Sequence, residues 1–211
     1  MRLFIKKSDY HIDIVNSITS FIIDNNIVYR ELALNFNENI EIYDNEVFVE
    51  LDKKTLVVYN PFQIELNEKK MIATMYKELQ NNIHDEERIV LSNIENNFLQ
   101  LVEKLSLEID FPINYNESID MNKLFQSFDV KFQTPEPENY LELVVSYLRL
   151  CSNLLKIKYI FSFGLLQLLS KDEIKLLQKE LELMDLLLVD FSTSTSLNKN
   201  VYYVDKDWFI V

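Results

Sequence analysis

A chain of 211 residues with 48% hydrophobic and 26% charged residues has the composition of a folded globular protein, long enough for one large domain or one domain with an insertion. Its 21 basic against 34 acidic side chains leave a formal charge of −13, an average that disfavours polyanions and favours solubility or cation binding. The single glycine, Gly164, excludes an orthodox Walker A loop and a dinucleotide fingerprint, because both need several residues without a Cβ where backbone crowds a phosphate. One cysteine and two histidines cannot build a structural zinc site or a disulfide framework. No apolar run of about 18 residues exists, and residues 1–23 lack the pattern of a signal peptide. The expectation is a soluble, cytoplasmic protein with no membrane partner.

Residues 1–6 are apolar and extended, residues 11–15 alternate, and residues 20–23 form a further β-rich run. A helix is expected over 26–36, where Val28, Leu32 and Phe36 share a face. Two β-branched, aromatic runs at 46–51 and 55–59, joined by Asp52-Lys53-Lys54, suggest a hairpin, although no glycine supplies the favoured turn. Asn60-Pro61 closes this section.

The middle is helical. Met71, Ile72, Met75, Tyr76 and Leu79 recur at helical spacing, and Leu91, Ile94, Phe98, Leu101 and Leu105 step by three and four in a heptad-like stripe. Phe111-Pro112 breaks that helix. A short helix is expected at 121–128, and after Pro135 and Pro137 another at 141–155, with Leu141, Val144, Leu148, Cys151 and Leu155 on its stripe.

Strands then return. Residues 158–163 form an apolar strand ending at Gly164. Ser170-Lys171-Asp172-Glu173 is a capping box before a helix with Ile174, Leu177, Leu181 and Met184. Residues 186–191 are nearly continuously apolar, as in a strand of a parallel sheet buried on both faces, so the three make a βαβ unit. Short edge strands at 201–204 and 208–211 complete the pattern. The fold class expected is α/β: a head domain assembled from residues 1–62 and 156–211, with an α-helical extension over 63–155.

His11 and His84 lack an accompanying nucleophile in a recognisable turn, and Cys151 lies on an apolar helix face, so none is assigned a catalytic role. Glu108, Asp110, Asn114, Asn116, Glu117 and Asp120 gather around the Phe111-Pro112 break; oxygen-rich loops of this kind suit hard cations, but the spacing is not that of an EF-hand, and solvated loop charge is the plainer reading. Lysines occur in pairs, Lys6-Lys7, Lys53-Lys54 and Lys69-Lys70, with Lys156 close to Lys158. Such pairs bind phosphates or serve as surface charge.

The segments Phe161-Ser162-Phe163-Gly164, Leu169-Ser170-Lys171-Asp172-Glu173-Ile174, Leu186-Leu187-Leu188-Val189-Asp190 and Val204-Asp205-Lys206-Asp207-Trp208-Phe209-Ile210 resemble the end of the type II-A CRISPR-associated spacer-acquisition proteins, the Csn-two family; Asp129-Val130-Lys131-Phe132 fits as well. The final fifty or so residues carry most of this likeness. It implies an α/β domain related to P-loop ATPases that has lost its phosphate loop, with a helical extension and no catalytic residues. It also implies a homotetrameric ring that binds calcium and threads double-stranded DNA ends through a lysine-lined hole, assisting the adaptation integrase and the RNA-guided effector nuclease. Such a ring can be acidic outside and basic inside, because DNA responds to the local field. On this resemblance Glu108, Asp110, Glu117 and Asp120 are the expected calcium ligands, although Phe111-Pro112 departs from the family's acidic run. Lys53, Lys54, Lys69 and Lys70, paired near the junction of the two parts, are the expected DNA contacts. The alternative is an acidic interaction module without DNA binding, its 91–105 stripe docking a protein partner. A metal-dependent enzyme built on residues 108–120 lacks the histidine or lysine partners such sites recruit.

Overall fold

Local sequence produces the following elements in chain order: β1 (Arg2–Ile5), β2 (Tyr10–Asp13), β3 (Ile18–Ile23), α1 (Asn26–Leu34), α2 (Phe36–Asn39), β4 (Ile40–Asp44), β5 (Val47–Phe48), α3 (Leu51–Lys54), β6 (Thr55–Val58), α4 (Lys69–Asn81), α5 (Asp85–Ser106), α6 (Met121–Ser127), α7 (Tyr140–Leu155), β7 (Tyr159–Phe163), α8 (Lys171–Leu183), β8 (Leu187–Ser192) and β9 (Val201–Val204). The computed structural model describes residues 1–8, 10–109, 111–116, 118–136, 138–194 and 200–210. They divide into two units, one of residues 1–66 with 134–211 and one of residues 67–133.

The first unit holds two sheets. Strands β2-β1-β4-β5 form an antiparallel sheet, and β6-β7-β8-β3-β9 form a wholly parallel one. Strands β3, β7 and β8 are buried almost throughout, as expected of strands covered on both faces. Phe21, Ile23, Tyr159, Phe161, Phe163, Val189 and Phe191 face a core shared with Leu3, Ile5, Ile40 and Ile42 of the antiparallel sheet and with Val28, Leu32 and Phe36 of α1 and α2. Alternation sends Ile18, Ser20, Ile22, Ile160, Ser162, Leu188 and Asp190 to the opposite face. All of these are buried, and the buried stripes of α7 (Val144, Leu148, Cys151) and α8 (Ile174, Leu177, Leu181), which lie outside the first cluster, supply the cover.

The capping box holds as expected: the Ser170 hydroxyl accepts from the Glu173 amide while the Glu173 carboxylate accepts from the Ser170 amide. Asn25 caps α1 through the amides of Ile27 and Val28.

Three sequence expectations change. Residues 46–51 and 55–59 do not form a hairpin. Residues 51–54 wind into one helical turn, with the Thr55 hydroxyl on the Leu51 carbonyl, and β6 leaves to pair in parallel with β7. The real hairpin is β4–β5, whose two-residue turn places Asn45 at φ +49° and Glu46 at φ +66°. Secondly, the segment near the C-terminus contributes an isolated bridge, Val204 to Ile210, not a strand; Val211 lies outside the described residues. Thirdly, the later boundary between the units falls near 134, not 156. Val144, Tyr147, Leu148 and Cys151 of α7 are buried within the first unit, and helical periodicity alone does not reveal which core a helix serves.

The β4–β5 turn yields a stability prediction. Both central residues need positive φ, which costs a non-glycine side chain about 1 kcal/mol or more. Glu46→Gly is expected to stabilise the protein by about 1 kcal/mol, raising Tm by about 2–4 °C in a thermal melt. A lower Tm would show that the Glu46 side chain supports the turn.

Candidate nucleic-acid interface

Lys53 and Lys54 end α3 in the first unit. Lys53 pairs with Glu50 at 2.6 Å, and that carboxylate holds its ammonium above the ordinary lysine range. Both lysines line a shallow pocket of about 300 Å³ with Asp44, Glu50, Val47, Phe48 and Val49. Asp44 already accepts from the Lys158 ammonium at 3.1 Å and the Tyr159 hydroxyl at 2.7 Å, contacts that hold its carboxyl below the usual carboxylate range. Two cations therefore stand among two carboxylates, and the pocket is close to neutral.

Lys69 and Lys70 occupy the first turn of α4 in the second unit, exposed and, among the described residues, without an ion-pair partner. A groove of about 620 Å³ runs between α4 and α6, lined by Lys69, Ile72, Ala73, Tyr76, Lys77, Gln80, Asn122 and Gln126. Lys69, Ala73, Lys77 and Gln80 follow the helical repeat along one face, so the two lysines leave the backbone about 12 Å apart along the helix axis with a small residue between them. The Tyr76 hydroxyl donates to the Val130 carbonyl at 3.0 Å and its ring meets Phe125 at 5.1 Å, which fixes one wall. The Gln80 amide donates to the Asn122 carbonyl oxygen at 2.8 Å. None of the lining residues is acidic, although acidic side chains outnumber basic ones by 34 to 21. Two lysines and three carboxamides make a surface suited to phosphate oxygens.

Sequence reading found Lys69 and Lys70 through their adjacency. It missed Lys77, which a helical count of eight from Lys69 reaches. Gln80, Asn122 and Gln126 left no sequence signal, because only the packing of α4 on α6 brings them together.

Of the four expected calcium ligands, Asp110 and Glu117 lie outside the described residues. Asp120 is the N-cap of α6: one oxygen accepts the amides of Asn122 and Lys123 at 3.0 and 3.3 Å, and the other lies 3.9 Å from the Lys123 ammonium. Glu108 is exposed in the turn after α5. The neighbouring Glu95 accepts the Ile119 amide at 2.9 Å. Among the described residues no three histidine, cysteine, aspartate or glutamate side chains gather to hold a metal ion. Glu108 and Asp120 by themselves do not fit calcium, which wants six to eight oxygens, and no step is assigned to it.

The two histidines have structural surroundings. His11 stacks on Phe4 at 4.6 Å, and His84 precedes α5 with its amide donating to the Glu87 carboxylate at 3.0 Å.

At the carboxyl ends of the parallel strands, where open α/β sheets bind ligands, β3 runs into α1 through Asp24 and Asn25 alone. Asn25 occupies the amides that a phosphate would need, and the exposed Asp24 repels anions. Phe163 at the end of β7 meets the rings of Tyr29, Tyr59 and Phe36 at 5.6, 5.4 and 6.3 Å. Aromatic packing fills this edge, and no phosphate-cradling loop is present among the described residues. Among them, too, no helix is long and apolar enough to cross a membrane.

No curated protein matches the chain. A solved structure described as an ABC transporter ATP-binding protein from Pyrococcus furiosus aligns over 100% of both chains at 12% identity, with a TM-score of 0.47. The family model of the CRISPR-associated protein (Cas_Csn2) matches residues 33–208, a span that takes in the groove, α7 and the whole βαβ segment. The chain belongs to the Cas_Csn2 family of CRISPR-associated proteins.

Proposed function

We propose that this protein binds the ends of double-stranded DNA without catalysis and without reading sequence, as a homotetrameric ring that assists spacer acquisition in antiviral defence. The observation that carries the reading is the acid-free groove of Lys69, Lys77, Gln80, Asn122 and Gln126 on a chain of net charge −13. Its lysines and carboxamides reach phosphate oxygens, which are the same in every sequence, so binding is sequence-independent and weakens with salt. Lys70, exposed beside Lys69 in the first turn of α4, adds positive charge to that end of the helix. Lys53 and Lys54 form a second, weaker contact because carboxylates stand beside them. The resemblance supplies the partners in this reading, the adaptation integrase and the RNA-guided effector nuclease.

Self-association is supported by α5. None of its 22 residues is buried, and Ile94, Phe98, Leu101 and Leu105 lie on one exposed face. The same observation favours a second reading, an acidic interaction module whose α5 docks another protein, without DNA. A gel shift with linear and covalently closed circular duplex, with and without calcium, separates the two. Threading predicts that linear DNA shifts and closed circles do not; equal binding to both, or to neither, overturns the ring.

A further inference from the structure

Ser162 of β7, Asp190 of β8 and Ser20 of β3 stand in register across three neighbouring strands, each at most 1% exposed. One oxygen of Asp190 accepts the Ser162 hydroxyl at 2.6 Å and the Leu165 amide at 2.9 Å. Its other oxygen, Oδ2, is buried with no hydrogen-bond partner among the described residues. The carboxyl thus ties β8 to the turn that opens at Gly164, whose φ of +82° bends the chain sharply after β7 and whose amide bonds the Phe191 carbonyl.

Among the described residues no cation offsets this group. Strands β7 and β3 present hydroxyls. The turn presents the amides of Gly164, Leu165 and Leu166, which favour the charged form. Among the described residues Tyr29 of α1 feels Asp190: burial first, and then that carboxylate, push its hydroxyl above the usual tyrosine range. The buried stripes of α7 and α8 are apolar apart from the Tyr147 hydroxyl and the Cys151 thiol. At the start of α8 the Glu173 carboxylate is engaged by Ser170, and Lys171 is exposed. Burial outweighs the donors and raises Asp190 from the ordinary 3.8 to about 7.

We propose that Asp190 is a proton-operated latch on the turn between β7 and α8. Protonated, it is neutral and keeps both bonds from Ser162 and Leu165. Ionised, it is an uncompensated charge in an apolar interior, and the turn opens to bring water to Oδ2. The sign follows from linkage. Because the folded carboxyl holds its proton to higher pH than the unfolded one, folding takes up a proton. Stability falls as pH rises from about 4 through about 7 and then levels.

Hydrogen exchange at the Leu165, Leu166 and Gln167 amides, corrected for intrinsic rates, tests the latch on the intact chain. Protection should fall about tenfold between about pH 5.5 and pH 8.5, while Asp190→Asn, which keeps the shape without the charge, should remove that fall. An equal fall in the variant, or no fall in the natural chain, overturns the proposal. Should Asp190→Asn not fold, carboxyl 13C chemical shifts of the natural chain decide the matter. A midpoint of about 6–8 supports the latch, and one outside that window overturns it.

Discussion

Replacing Lys69 and Lys77 together by glutamine is expected to weaken binding of a linear duplex about 10- to 100-fold near physiological salt, and to flatten the slope of log K against log salt by about 2. Glutamine keeps most of the side-chain length and helix propensity, so α4 persists while two phosphate contacts lose their charge. The same exchange at Lys53 and Lys54 should cost less, because Glu50 and Asp44 already offset that patch. Fluorescence anisotropy at several salt concentrations measures both affinity and slope. If the Lys53/Lys54 variant proves the weaker binder, the DNA surface belongs to α3 and not to the α4–α6 groove.

The largest loss of stability is expected at Phe161. Its side chain is fully buried, packing 4.9 Å from the Phe36 ring and 6.3 Å from that of Phe191, and Phe161→Ala leaves a cavity between them. Such truncations cost about 3–5 kcal/mol, a large share of the 5–15 kcal/mol that roughly bounds domain stability. Urea unfolding monitored by far-UV circular dichroism should show a lower midpoint with an unchanged slope. Phe98→Ala on α5 is the contrasting variant. Phe98 is 56% exposed within the chain, so its truncation should change subunit stability by less than about 0.5 kcal/mol. Light scattering then reports whether that exposed ring supports assembly: a lower mass for Phe98→Ala, with unfolding unaltered, assigns it to a contact between copies.

Much of the fold was legible where the signals are local. The βαβ segment combines two strands buried on both faces with a capping box, and each of its elements holds. The hairpin at 46–59 misled because its true turn, Asn45-Glu46, carries positive φ without a glycine to advertise it. Periodicity identified α7 as a helix but could not say that its stripe serves the first unit. The order of the parallel strands was invisible for a related reason: β3 lies between β8 and β9 through pairings between opposite ends of the chain.

The site divides in the same way. Adjacent lysines are easy to see, and Lys69 proved to line the groove, whereas Lys77 needed the helical count and the carboxamides needed tertiary packing. In the acidic segment, Asp110 and Glu117 lie outside the described residues. Asp120 precedes a short helix and accepts its first amides, so its oxygens already have protein donors. The position just ahead of an apolar helical run was the sequence clue to that role.

The placing of β3 also governs how the protein comes into being on the ribosome. This strand is among the first to be synthesised, yet both of its neighbours are among the last. Until residues near 190 and 201 emerge, a strand bound for full burial has nothing to pair with, and long-range closure of this kind is slow and prone to aggregation. Nascent chains should therefore rely on chaperones until translation is nearly finished.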